Sequence, residues 1–188
     1  YVYVGDFVGA DGILRFDTTD NYSVTPFDFN QDYSDLTMGW DGVLYALRSG
    51  ELAVDRIDPA TMALLGTTNL AQGVRGIAVN PAGEIFGAAW TGTLYKFSAA
   101  GAVLDSLAAG LGNLFDIDRD AHGRLVISAT TPVVGLTDES LATVTPITVS
   151  PTGLTRTFLA WNAPEPANPN VLFIDAFYPG AMGARPSA

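Results

Sequence analysis

Three short turns, each carrying a glycine, recur at Gly42, Gly83 and Gly123, 41 and 40 residues apart. The clearest copy lies at 76–97, GIAVNPAGEIFGAAWTGTLYKF. Its first run, 76–80, reads as a strand that Pro81-Ala82-Gly83 turns back, because Pro presets φ and Gly accepts φ > 0. A second strand over 84–90, a tight turn at Thr91-Gly92 and a third strand over 93–97 follow, and 102–107 adds a fourth. The same order of runs appears upstream at 36–55 and downstream at 114–128.

A repeat of about 40 to 45 residues carrying four strands is the spacing of a β-propeller blade. Helical repeats of similar length need apolar residues at 3.6-residue spacing, whereas these runs are short, β-rich and cut by glycine. The expected fold is therefore all-β: a β-propeller of about four to five four-stranded blades over 1–177, with a flexible tail over 178–188.

The repeat is out of phase with the chain. Second strands fall near 1, 43, 84, 124 and 171. The first blade thus lacks its opening strand, three blades are complete, and the last stops halfway after a proline-bearing loop at 162–170. Three arrangements follow: an open arc of four and a half blades, completion between subunits, or self-closure with 157–161 supplying the strand missing before Tyr1. An apolar, Lys-free strand at 171–177 is an aggregation hazard unless something covers it. Tyr1, Tyr3 and Phe7 at one end, and Val171, Leu172, Phe173, Ile174 and Phe177 at the other, are the candidate assembly residues.

Composition narrows the partners. Asp and Glu outnumber Lys and Arg 20 to 9, a net charge of −11, which disfavours nucleic acid and anionic membrane. No apolar run is long enough to span a bilayer. Apolar residues make up 48% of the chain and charged ones 15%, so a subunit interface is expected: the partner is the chain itself or another protein. The absence of cysteine excludes disulfides, thiolate metal sites and a Cys nucleophile. A start at Tyr1 is read as a processed or truncated product, and secretion as the setting.

Site candidates are few. Asp116, Asp118 and Asp120 alternate as in the start of a Ca²⁺ loop, but Ala121 replaces the turn glycine and no acidic residue follows at the bidentate position. A strand end with solvated or Arg-paired acids is the plain reading. Asp28, Asp32 and Asp35 form a second acidic stretch, suited to a cation or a sugar. Trp40, Trp90 and Trp161 lie near strand ends, where they would stack on glycans or pack blades together. Because Trp40 and Trp161 end first strands and Trp90 a second, they do not form one repeated pocket. His122 is the only histidine and reads as a turn residue; a Ser-His-Asp triad would need it with Asp118 or Asp120 and Ser128. No catalytic residue is assigned. Asn21-Tyr22-Ser23 is an N-glycosylation sequon.

The Gly-x-Leu-Tyr-like second strands, Leu94-Tyr95-Lys96-Phe97 and Arg56-Ile57-Asp58-Pro59-Ala60-Thr61 resemble propellers of the NHL, quinoprotein-like and lactonase-like kind, over nearly the whole chain up to 177. The resemblance implies a fold and no catalytic residue; enzymes of those families use metal-binding acids or a cofactor around the central channel, and no matching constellation is present. The expected function is a non-catalytic extracellular structural or interaction protein, self-assembling through its terminal half blades and using no cofactor. The alternatives are a carbohydrate-binding propeller and a Ca²⁺-dependent lactonase-like hydrolase.

Overall fold

The three turn glycines sit at φ of 76°, 77° and 80°, the left-handed region that only glycine enters without strain. Each donates its N–H to the carbonyl three residues back, Gly39, Asn80 and Asp120 respectively. Three equivalent hairpins result, and they set the blade frame. The structure, a computed structural model, describes residues 1–5, 12–27, 29–50, 52–131, 133–148, 158–161 and 172–175, the last two segments as strand backbone.

Every strand pairs antiparallel with the next one in its blade. Blade I holds β1 (Val2–Gly5), β2 (Ile13–Asp17) and β3 (Ser23–Phe27). Blade II holds β4 (Tyr33–Met38), β5 (Leu44–Arg48), β6 (Ala53–Ile57) and β7 (Leu64–Asn69). Blade III holds β8 (Gly76–Val79), β9 (Ile85–Ala88), β10 (Thr93–Phe97) and β11 (Val103–Ala108). Blade IV holds β12 (Leu114–Arg119), β13 (Arg124–Ala129), β14 (Val133–Asp138) and β15 (Thr145–Thr148). A two-stranded half blade, β16 (Phe158–Trp161) and β17 (Leu172–Asp175), completes the series. The chain is thus an all-β propeller; among the described residues three blades have four strands, the first has three, without an inner strand, and the last has two.

Strand alternation explains the packing. Residues two apart along a strand share a sheet face, and each blade turns one face to its predecessor and the other to its successor. In blade II, Leu44, Ala46 and Ile57 face blade I and bury Ile13, Tyr3 and Phe27. Tyr45, Leu47 and Val54 face forward onto Ile77, Ile85 and Phe97 of blade III. Phe86, Ala88 and Leu94 of blade III then meet Leu114, Leu125 and Ile127 of blade IV.

The turns between third and fourth strands latch each blade to the one before. Asp58-Pro59-Ala60-Thr61 forms such a turn, its Asp58 Oδ1 accepting from Ala60 N and Thr61 N at 2.8 and 3.0 Å. Tyr3 Oη donates to Pro59 O at 2.9 Å and Arg15 to Ala60 O at 3.0 Å, both from blade I. One blade on, Thr68 Oγ1 donates to Ala99 O and Ala71 N to Gly101 O. Next, Asn80 Nδ2 donates to Glu139 Oε2 at 2.9 Å.

Two apolar runs outside the clearest repeats, 62–67 and 141–147, read from the sequence as outer strands, and both strands begin later in the fold. Met62 starts no strand: it turns the chain at φ 58° and buries its side chain between blades I and II. The run from Leu141 to Ile147 is strand only over β15, since Leu141 closes a turn at φ 50° with its N–H on Asp138 O.

Candidate functional site

The inner strands β4, β8 and β12 run side by side, and β16 lies against β12 in the same sequence. Asp35 and Asp116 occupy equivalent positions on β4 and β12, each just after a bulge in the pairing with its second strand. A bulge re-aims a side chain at a strand's edge. Asp35 Oδ1 accepts from Leu36 N, while Oδ2 crosses to blade III and accepts from Ile77 N at 2.6 Å. Asp116 Oδ1 likewise accepts from Ile117 N at 2.8 Å. The equivalent residue of blade III is Gly76, where a Cβ would sit 2.7 Å from Asp116 Cα. A side chain there would close the approach that the two strands require.

Burial pushes the Asp35 carboxyl up to about 7, against the lowering of its two backbone hydrogen bonds and helped by the nearby charge of Asp118. Asp35 is thus a strand residue that ties two blades, not part of a loop. Asp32 gives its carbonyl to Ser49 N, and Asp28 lies outside the described residues.

The proposed Ca²⁺ acids are each engaged locally. Asp118 Oδ1 accepts from Arg119 N at 2.7 Å. Asp120 Oδ1 caps the turn by accepting from His122 N and Arg124 N, both at 2.8 Å, and its other oxygen pairs with Arg124. Burial alone would raise Asp120, but these hydrogen bonds and the Arg124 charge hold it below the usual carboxylate range. Among the described residues no three Asp, Glu or His side chains are grouped to hold a metal ion.

His122 projects from the exposed turn, whereas Ser128 is fully buried towards the far end of β13. Ser128 lies four residue steps along the strand from Arg124, about 13 Å at about 3.3 Å per step. That spacing keeps Ser128 out of hydrogen-bond reach of His122, so the triad geometry is not met.

Trp40 and Trp90 are both exposed and sit in different kinds of turn, as their strand positions require. Arg119 of blade IV lies 5.3 Å over the Trp40 ring and Arg75 lies 4.9 Å over Trp90. Arg119 also pairs with Glu139, whose other oxygen holds Asn80. The network goes on through Asn80 to Glu84 and from Glu84 to Lys96, at 2.8 and 2.9 Å. One exposed indole therefore caps a chain of charge pairs that joins blades III and IV at the inner-strand ends. Trp161 ends β16, and only its backbone is described.

The candidate assembly residues differ in burial. Tyr3 faces blade II and is a packing residue, while Tyr1 is exposed beneath Arg15, 4.6 Å from its ring. Phe7, Val171 and Phe177 lie outside the described residues, as do 162–170 and 178–188. Leu172, Phe173 and Ile174 form β17, which pairs with β16 in its own chain, Trp161 opposite Leu172 and Ala160 opposite Phe173. Among the described strands β1 pairs only with β2, so its inner edge has no strand beside it. Sequence reasoning passed over Val2 and Val4. The signal was there: they align with Leu44 and Ala46, yet stand on the outermost blade. Asn21 lies in an exposed turn at φ 46°.

No protein-family model and no curated protein sequence matches this chain. Solved structures do match. A chain of a mitotic checkpoint complex aligns at TM-score 0.61 and 17% identity, over 86% of this chain and 50% of that one. A streptogramin B lyase aligns at 0.59 and 13%, over 78% and 50%. A virginiamycin B lyase from Staphylococcus aureus aligns at 0.59 and 11%, over 82% and 54%. The chain spans about half the length of the structures it matches. Identities this low carry the fold alone, and the neighbours that share it include lyases and a member of a protein complex.

Proposed function

We propose that this chain is a non-catalytic interaction protein that works through its incomplete terminal blades, self-assembling by strand complementation in a secreted setting. The observation that carries the reading is the inner edge of β1, which among the described residues has no hydrogen-bonded neighbour where every complete blade places an inner strand. An unpaired edge beside an apolar strand is a template for another chain, and β-augmentation is the way such edges are used. The alignment with a chain from a protein complex favours the same reading. Light scattering and negative-stain microscopy of the intact chain test it: association that rises with concentration is expected. A strictly monomeric species at every concentration, with no bound protein, would overturn it.

A second reading, carbohydrate binding, draws on the exposed Trp40 ring. Arg119 lies over the ring and the side chain stays 45% exposed, the kind of aromatic surface on which a sugar stacks. A glycan array with no hits and unchanged Trp fluorescence would remove it.

A further inference from the structure

Four cations among the described residues sit over aromatic rings: Arg15, Arg75, Lys96 and Arg119. Three of them also reach an acceptor. Arg15 donates to Ala60 O, Lys96 pairs with Glu84 and Arg119 with Glu139. Arg75 has the indole of Trp90, 4.9 Å from its guanidinium carbon to the ring centre, and no acceptor for its guanidinium among the described residues. A guanidinium carries five N–H donors. In a chain with 20 acidic and 9 basic residues, one left without a carboxylate is an exception that needs a cause. The acid that reaches β8, Asp35, is taken by Leu36 N and Ile77 N.

Both residues depart from the repeat, and they do so in the same blade. Arg75 precedes Gly76 as Ser34 precedes Asp35 and Phe115 precedes Asp116. Trp90 follows Ile85 by five positions as Ser49 follows Leu44 and Thr130 follows Leu125. Blades II and IV pair the same four strands without either side chain, so the blade frame does not require the pair. Its backbone is nonetheless fixed. Arg75 N donates to Ala88 O at 2.8 Å, and Gly87 leaves room for Val74, since a Cβ there would lie 2.5 Å from Val74 Cγ1. The turn that carries Trp90 is closed by Gly92 N on Ala89 O and clamped by Ala109 N on Gly92 O, at 3.0 and 2.9 Å. Arg75 precedes β8 and Trp90 follows β9, so the pair stands at the start of the inner strands, the end of the propeller opposite Trp40. A cation and a ring held on rigid elements are prepared for a ligand.

Beyond the interaction reading above, we propose that Arg75 and Trp90 form a binding site for a small monocarboxylate carried on a flat or apolar body. The planar guanidinium fork matches a carboxylate through two parallel N–H···O bonds. The indole stays 38% exposed and offers apolar surface to the rest of the ligand. Charge sets the class. One guanidinium balances one negative charge, whereas a phosphate dianion would bring a second against a chain of net charge −11.

The test titrates the full chain with benzoate, phenyl phosphate and benzyl alcohol, read by calorimetry and by tryptophan fluorescence. Benzoate should bind saturably and more tightly than phenyl phosphate, and benzyl alcohol, which lacks the charge, should give no saturable response. Arg75→Gln should weaken benzoate about tenfold or more, the loss of a charge-assisted pair. Arg75→Lys, which keeps the charge without the fork, should fall between. Arg75 is exposed, so both variants should keep the native circular dichroism. Trp90→Phe should remove the fluorescence response and Trp40→Phe should keep it. Arg56→Gln, at another exposed arginine, is the control and should bind as the native chain does. Tighter binding of phenyl phosphate overturns the carboxylate assignment. No saturable response to benzoate, or one that Arg75→Gln leaves unchanged, overturns the site. Neither result bears on self-association, which light scattering reads separately.

Discussion

Asp55 is the residue whose removal should cost blade II the most. Its carboxylate gathers one side chain from each of the other three strands. Arg48 of β5 donates through Nε and a terminal nitrogen, both at 2.9 Å, Tyr33 Oη of β4 at 2.7 Å and Thr67 Oγ1 of β7 at 2.6 Å. Burial alone would raise its pKa, but the hydrogen bonds of Arg48, Thr67 and Tyr33 and the Arg48 charge hold it below the usual carboxylate range. In Asp55→Ala three donors lose their acceptor at once. Removing one partner of a buried pair costs ~3–5 kcal/mol. Arg48 keeps 20% of its side chain exposed and can turn to water, so the loss should fall near ~3 kcal/mol. Tyr33→Phe removes one bond to a charged acceptor and should cost ~2 kcal/mol. Urea unfolding of the two single variants and the double variant measures both. Since the two share one bond, Tyr33→Phe should cost close to nothing in the Asp55→Ala background. Because the Asp55 pKa is depressed, its contribution is complete above the unfolded value and is lost as pH falls through the folded one. The gap between native and Asp55→Ala should therefore narrow only below pH ~4. A cost under ~1 kcal/mol, or strict additivity, would refute the four-strand tie.

Asp35 has the opposite sign. Its raised pKa means that the unfolded chain ionises first, so stability should fall between pH ~4 and ~7 by at most ~4 kcal/mol, at about 1.4 kcal/mol per pH unit, and level off above. Asp35→Asn should flatten that slope in urea titrations at successive pH values, and an unchanged slope would count against it. Gly101→Ala places a Cβ 1.8 Å from Asn69 O at φ 85°. Overpacking and left-handed strain together predict a loss of ~3 kcal/mol or more, read by thermal melting; a variant as stable as the native chain would show that the latch between blades II and III yields freely.

The blade frame was legible because it is written in local signals. Gly42, Gly83 and Gly123 mark the same turn three times, and the alternation of the second strands places each residue on a face. What escaped was anything that depends on which residues meet across strands. Asp35 sits beside Asp28 and Asp32 in sequence, so it reads as one of an acidic loop; the bulge before it turns its carboxylate onto Ile77, 42 residues away. Tyr33, Arg48, Asp55 and Thr67 carry no motif, since their spacing reflects hairpin lengths rather than a pattern. Arg119 and Trp40 lie 79 positions apart, and only the juxtaposition of blade ends brings them together.

The same distinction governs the terminal blades. A residue such as Val2 or Val4 cannot be read as exposed or buried from its own strand, because alternation assigns it a face and the neighbouring blade decides what that face meets. In blades II to IV that neighbour precedes it in the chain, and Leu44, Ile85 and Leu125 are buried accordingly. In blade I the same alternation puts Val2 and Val4 on that face, and no preceding blade lies among the described residues. The exposure of Val2 and Val4 therefore reflects what lies beside the sheet and not their own strand pattern.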